Sequence, residues 1–176
     1  MRSVLLLVDG EADAGLLKDL DEASFEASIM GVEEEPPSDL QSRYDAVLVD
    51  GVGDVAARLK GVAWVRRATD YWVPVVVAFD AGELAHVSEA FALGADHYVT
   101  RTGGKIPSPL LSAVLSRACD VGRSRRERMV WEARFRTVMD AVPDGVWVLS
   151  RKGRVLEINS VLEALIGARR EVILGG

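Results

Sequence analysis

The chain has 176 residues, 49 % of them hydrophobic, which is enough for one complete domain together with part of another. Its apolar runs are too short for a membrane span or a secretory leader, so we expect a cytoplasmic protein with no membrane partner. The single cysteine, Cys119, excludes an internal disulfide framework and a cysteine-cluster metal site.

The net charge of −6 is distributed unevenly along the chain. Residues 1–120 include 20 acidic and 10 basic residues, whereas residues 121–176 include 7 acidic and 11 basic residues. The change occurs at the basic run GRSRRER, Gly122–Arg128, and indicates a boundary between two parts of the chain. Because the run is short and follows an acidic segment, it does not predict nucleic-acid binding.

The first 121 residues alternate apolar runs with helical patterns. The apolar runs predict strands at Val4–Val8, Phe25–Val32, Asp45–Val49, Pro74–Phe79 and His97–Thr100. Helical spacing follows each strand, at Ala12–Glu22, within Glu33–Arg43, at Val55–Asp70, at Gly82–Leu93 and from Pro107 to about Val121. Continuous apolar strands between helices predict an α/β fold with a five-stranded, parallel, doubly wound sheet in (βα)5 order.

The pattern changes after residue 121. A helix is predicted over Arg123–Ala141, followed by a hairpin of two strands, Val146–Leu149 and Val155–Ile158, and by a short helix at Ser160–Ile166. We therefore predict three parts: a domain at 1–121, a linker helix at 122–141 and a small α+β segment at 142–176.

The tetrapeptide LVDG occurs twice, and each copy ends an apolar strand on an aspartate, Asp9 and Asp50. In open parallel sheets the functional crevice lies at the carboxyl ends of the strands. We therefore expect both carboxylates in one crevice. The sequences that follow differ too much for an internal repeat, so we interpret the two copies as a consequence of fold geometry.

Four segments in this order, VLLLVDGE, YDAVLVDG, VPVVVAFDA and ALGADHYVTRT, resemble the receiver domain of two-component response regulators. The resemblance covers most of residues 1–121 and implies a flavodoxin-like fold. It places Asp50 at the phosphoacceptor position, Arg101 at the position of a lysine and Tyr98 at that of a switch aromatic. It also implies Mg²⁺ as cofactor, with Asp9 and Asp50 as ligands and Glu11 as a further candidate.

The sequence departs from the receiver pattern where the chemistry is performed. Gly10 replaces a second metal-binding acid, and Phe79 replaces the hydroxyl residue at the end of the fourth strand. A guanidinium at Arg101 differs in shape and hydration from a lysine ammonium. Loss of an acid weakens Mg²⁺ binding, and Asp54 and Asp80 add negative charge that opposes a phosphoryl anion. We therefore expect a degenerate receiver that acts by docking and signal relay to a PAS-containing regulator or sensor kinase.

An alternative stays open, namely a working receiver that a histidine kinase phosphorylates on Asp50 with Mg²⁺. On either interpretation the partner is a histidine kinase or another signalling protein. The chain resembles no kinase or cyclase region, so we do not expect an enzyme. A nucleotide-binding domain is disfavoured because no G-x-G-x-x-G follows the first strand, and TRTGGK lacks the spacing of a phosphate-binding loop.

The segment beginning RFRTVMDAVPDGVWVL and continuing through GRVLEIN resembles the start of a PAS sensor domain. The resemblance covers an entry helix, two strands and short helices, so three strands of a PAS sheet have no counterpart here and no PAS ligand is predicted. Linker helices between such domains often pair. We therefore expect a homodimer formed through the linker helix or the PAS segment, without a nucleic-acid partner.

Overall fold

A computed structural model describes residues 2–10, 12–51, 54–69 and 73–174. The chain divides into two compact units, Met1–Arg126 and Glu127–Gly176. The division falls inside the predicted linker helix, and each unit is described separately below.

The first unit is built on a five-stranded parallel sheet. Its strands are β1 (Arg2–Val8), β2 (Phe25–Gly31), β3 (Ala46–Asp50), β4 (Val75–Asp80) and β5 (His97–Arg101). They lie in the order β2-β1-β3-β4-β5, and every neighbouring pair is parallel. The predicted doubly wound (βα)5 sheet is therefore confirmed, with its topological switch point between β1 and β3.

Helices cover both faces of this sheet. They are α1 (Ala14–Glu22), α2 (Leu40–Arg43), α3 (Val55–Thr69), α4 (Val87–Ala92) and the first part of α5 (Ser108–Asp140). Val4 and Leu6 of β1 belong to a core cluster with α1 and α5 residues, whereas Leu5 and Leu7 belong to a second cluster with α2, α3 and α4 residues. Burial on both faces explains why the strands are apolar without alternation.

Two helical segments differ from the sequence prediction. The region predicted as one helix from Gly82 begins with a 3₁₀ segment, Ala81–His86, before α4. Here the Glu83 carboxylate accepts a hydrogen bond of 2.8 Å from the Asp80 amide, which holds the tight first turn. The two helices predicted on either side of Gly122 form one continuous helix, α5, of 33 residues.

The second unit contains an antiparallel pair, β6 (Trp147–Leu149) and β7 (Val155–Ile158), then α6 (Ser160–Ile166) and α7 (Arg170–Leu174). Asn159 is almost fully buried and connects these elements. Its Oδ1 accepts hydrogen bonds from the amides of Val146 and Leu162, and its Nδ2 donates to the carbonyls of Met139 and Asp144. One side chain thus holds the end of α5, the hairpin and the start of α6 together.

None of the helices within the described residues combines the length and apolarity needed to cross a membrane.

Cys119 gives a first test of the core. The side chain is fully buried between α5 and the sheet, and this burial, reinforced by the Asp45 carboxylate, raises the pKa of its thiol to about 12. Only the thiolate reacts with alkylating reagents. At pH 8 the folded chain should therefore hold a thiolate fraction on the order of a thousandfold below that of the unfolded chain, whose cysteine pKa is about 8.5.

Iodoacetamide labelling followed by intact mass measures this difference, with the urea-unfolded chain as the control. Labelling of the native chain at the rate of the unfolded one would contradict the buried placement.

Candidate functional site

The ends of β1 and β3 form the centre of the candidate site. Asp50 is the last residue of β3 and is paired with Val8, the last residue of β1. Asp9 follows directly and is exposed, and a Cβ atom placed on Gly51 would lie 3.9 Å from the Cβ of Asp9. The two predicted strand-end aspartates therefore lie at the same edge of the sheet. Glu11, the further candidate ligand, lies outside the described residues.

Asp50 forms an ion pair with Arg101, the last residue of β5. Nη2 of Arg101 contacts Oδ1 of Asp50, and both side chains are about 5 % exposed. Nη1 of the same guanidinium lies 3.8 Å from Oδ1 of Asp80, whose side chain is 44 % exposed. Because β4 lies between β3 and β5, the long arginine side chain crosses the end of β4 to reach Asp50.

The pair compensates two charges that burial would otherwise penalise. Burial lowers the pKa of the Arg101 guanidinium, and the nearby Asp13 carboxylate acts in the opposite direction. A buried carboxylate is better tolerated when an opposite charge lies beside it. Removing Arg101 would leave Asp50 buried without that compensation, so the two residues act as one unit.

A cleft of about 410 Å³ opens beside this pair. Asp50 and Arg101 line it together with the start of α1 and the segment that leads into α5, including Lys18, Lys105 and Ser108. This volume is in the range of sites for small molecules. The buried Asp50–Arg101 pair and two lysines therefore line the same open space.

The described residues at this edge of the sheet supply few oxygen ligands for Mg²⁺. Mg²⁺ requires a near-octahedral set of oxygen ligands. Within residues 2–10, 12–51, 54–69 and 73–174, no group of three acidic, histidine or cysteine side chains is placed to hold a metal ion. Asp50 is engaged by Arg101, Asp9 does not line the cleft, and Asp54 caps the start of α3 through the Ala56 amide. No chemical step is therefore assigned to a metal here.

Phe79 fills the space beneath the end of β4. Its ring is fully buried, and the guanidinium of Arg58 lies over it, with Cζ 5.4 Å from the ring centroid. Tyr98, which the resemblance placed at the switch position, is 41 % exposed and contacts Phe91 edge to face at 6.2 Å. Of the two candidate switch residues, Phe79 is therefore buried and Tyr98 lies at the surface.

Arg58 is the largest fully buried side chain among the described residues of the first unit, and its burial was not predicted from the sequence. It donates hydrogen bonds to the Ala78 carbonyl at 2.8 Å and to Oε1 of Glu83 at 2.6 Å. Glu83 in turn accepts from the Asp80 amide. An arginine inside an otherwise apolar helix pattern was the only signal available, and it did not reveal the partner 25 positions away.

The TRTGGK segment forms a tight hairpin. The Thr102 amide donates to the Lys105 carbonyl at 2.8 Å, and the Lys105 amide donates to the Thr102 carbonyl at 3.3 Å. Gly103 and Gly104 both have positive φ, which this kind of two-residue turn requires. The turn therefore differs from a phosphate-binding loop, as its sequence spacing indicated.

Comparison with solved structures shows that the first unit has the fold of response-regulator receiver domains. The chemotaxis protein CheY4 of Vibrio cholerae is 19 % identical with a TM-score of 0.54, covering 67 % of this chain and 99 % of that protein. A putative response regulator of Chloroflexus aurantiacus is 18 % identical with a TM-score of 0.55, covering 68 % and 99 %. NtrX of Brucella abortus is 19 % identical with a TM-score of 0.58, covering 86 % of this chain and 32 % of that one.

The family model of the PAS domain matches residues 133–175, which confirms the resemblance seen in the second part of the sequence. Comparison with curated protein sequences found no match.

The Arg58–Glu83 pair gives a pH test of the site. Burial raises the pKa of Glu83, but the Asp80 amide and the Arg58 guanidinium outweigh it, so the pKa lies below its ordinary value of 4.5. A depressed folded-state pKa stabilises the protein above pH 4.5, and this stabilisation is lost as the pH falls through the folded-state value. Glu83→Gln should therefore lower the free energy of unfolding by about 2 kcal/mol at pH 7, and the deficit should shrink towards pH 3.

Urea unfolding at a series of pH values measures this difference. Glu22→Gln is a matched control, because Glu22 forms only an exposed pair with Lys18 at 3.5 Å. A deficit that stays constant with pH, or that equals the control's, would show that the Glu83 charge does not matter.

Proposed function

We propose that this chain is a signal-transduction module of the two-component type, in which an atypical receiver-fold unit docks a signalling partner and relays its state to a PAS-containing regulator or sensor kinase. The partner is a histidine kinase or another signalling protein. Asp50 occupies the position of a phosphoacceptor but is not used as one. The buried Asp50–Arg101 ion pair is the observation that carries this proposal.

Two features of the site oppose phosphoryl transfer to Asp50, namely its contact with Arg101 and the lack of a metal-binding group among the described residues. Attack on a phosphorus atom needs a carboxylate oxygen free to approach it, whereas Oδ1 of Asp50 is in contact with Arg101. Separating a buried pair leaves two charges without compensation, so the reaction would be slowed if the pair must open first. The described residues also offer no metal group to neutralise the incoming charge.

The alternative is a working receiver that is phosphorylated on Asp50 by a histidine kinase with Mg²⁺. The cleft favours it, because Asp50 and Arg101 line one open space where a guanidinium could contact phosphoryl oxygens. On that interpretation the pair would open on each turnover, and Arg101 would stabilise the product instead of blocking the acceptor.

Intact mass distinguishes the two proposals. The chain is incubated with Mg²⁺ and a small acyl phosphate, and the wild type should show no species heavier by roughly 80 Da, the mass of one phosphoryl group. Asp50→Asn is the control for modification at other residues. A heavier species in the wild type that is absent from Asp50→Asn would overturn the degenerate interpretation and establish the alternative.

We further propose that the chain forms a homodimer through the linker part of α5 or through the PAS segment. Trp131 and Val138 are 63 % and 66 % exposed, and Trp131 stacks on Phe135 with ring centroids 5.2 Å apart. The spacing of four and then three residues is typical of a seam between paired helices. Exposed apolar surface of this kind favours association.

Light scattering tests this proposal over a range of concentrations. The wild type should have twice the monomer mass, and the double variant Trp131→Glu, Val138→Glu should have the monomer mass. Arg128→Glu is a control on the same helix, because Arg128 is exposed and pairs with Glu132. A wild type that remains monomeric at the highest concentration would remove the proposal.

A further inference from the structure

Part of the basic run that marks the change of charge contacts the amino-terminal edge of the sheet, at Gly122, Arg123, Arg125 and Arg126. Gly122 is buried, and a Cβ atom at this position would overlap the carbonyl oxygen of Asp45 and lie 2.9 Å from Cδ of Pro74. These two residues directly precede β3 and β4, so α5 passes close under the amino-terminal edge of the sheet. Only glycine permits an approach this close.

Asp45 is the first of two aspartates that receive the arginines following Gly122. Its side chain is 6 % exposed, and its Oδ2 accepts a hydrogen bond of 3.1 Å from the Ser3 amide. Arg126 lies 3.3 Å from Oδ1 and Arg123 lies 3.6 Å from Oδ2. Arg126 also donates to the main-chain carbonyls of Gln41 and Tyr44, so its guanidinium is held by three separate acceptors.

Asp96 is the second aspartate, and it directly precedes β5. Its Oδ2 accepts hydrogen bonds from Arg66 at 2.6 Å and from the Val75 amide at 2.9 Å. Its Oδ1 accepts from both terminal nitrogens of Arg125 at 3.3 Å. Both aspartates are thus held by the sheet and its loops, and both also contact arginines of α5.

We propose that Gly122–Arg126 is an internal anchor that fastens α5 to the amino-terminal edge of the sheet and makes Arg126 the fixed end of the helix that continues towards the PAS segment. The three arginines of this anchor segment each form an ion pair with an aspartate of the first unit. Basic residues that bind nucleic acid or a lipid surface face solvent with their charge available. This proposal does not depend on whether Asp50 is phosphorylated.

Hydrogen exchange of the whole chain, read by mass spectrometry, tests the anchor. Amides of α5 around residues 119–127 should be protected in the wild type. Arg126→Gln should accelerate their exchange about tenfold or more, because it removes charge-assisted hydrogen bonds that hold the helix in place. Arg128→Gln removes the same charge outside the anchor and should leave the exchange unchanged.

Gly122→Ala is a second test, because the anchor and helix propensity predict opposite changes in the rate of hydrogen exchange. Alanine is favoured over glycine in a helix interior, so an unattached helix would exchange more slowly in this variant. If the anchor exists, the new methyl group displaces α5 from Asp45 and exchange becomes faster. Exchange in Arg126→Gln equal to that in Arg128→Gln, or slower exchange in Gly122→Ala, would overturn the proposal.

Discussion

Burial of the central sheet on both faces determines where this molecule can keep its charges. Each central strand is apolar along its length, because residues on one face pack against α1 and α5 and those on the other against α2, α3 and α4. Charged side chains inside such a layer would lack partners. They are therefore confined to the two edges where strands end, and each edge of the first unit is organised by ion pairs.

The carboxyl edge holds the candidate site, and its chemistry depends on which cation compensates Asp50. A hydrated metal ion can leave, exchange ligands and make room for a phosphoryl group. An arginine attached to β5 is permanent, carries no exchangeable coordination position and is already in contact with the carboxylate. Arg58 and Glu83 form a second ion pair nearby, in which the buried guanidinium of Arg58 lies over the ring of Phe79. Among the described residues, this edge is thus organised by the ion pairs of Arg101 and Arg58.

Much of this arrangement could be predicted from the sequence, because the strand runs and the residues that end them are local features. The parallel sheet, the position of Asp50 and the placement of Arg101 at the end of β5 all follow from apolar runs and from the receiver resemblance. The partners of Arg58 and Arg126 could not be predicted, since each lies 20 or more positions away and is brought near only by tertiary packing. The basic run shows the same limit, because its composition indicated a boundary but not the contacts made there.

Gly122 illustrates a further reason for incomplete prediction. Glycine has a low helix propensity, and the sequence pattern predicted one helix to about Val121 and another over Arg123–Ala141. In the structure, α5 continues because the missing side chain is what permits the approach to the main chain of Asp45. The low helix propensity of glycine disfavours a helix through this residue, but the close contact with Asp45 requires glycine, and the helix continues.

Two strands of the first unit carry charged residues at both of their ends, with the same spacing. Asp45 precedes β3 and Asp50 ends it, while Asp96 precedes β5 and Arg101 ends it. Written along the chain, these are the patterns D-x4-D and D-x4-R, followed by G-R-x-R-R in α5. A five-residue strand fixes each interval, so inserting or deleting one residue would move both of its charges off their partners at once. Related sequences can thus be sorted by the presence of these three patterns. Chains that contain all three are expected to form both sets of ion pairs, whereas chains that lack them share only the fold.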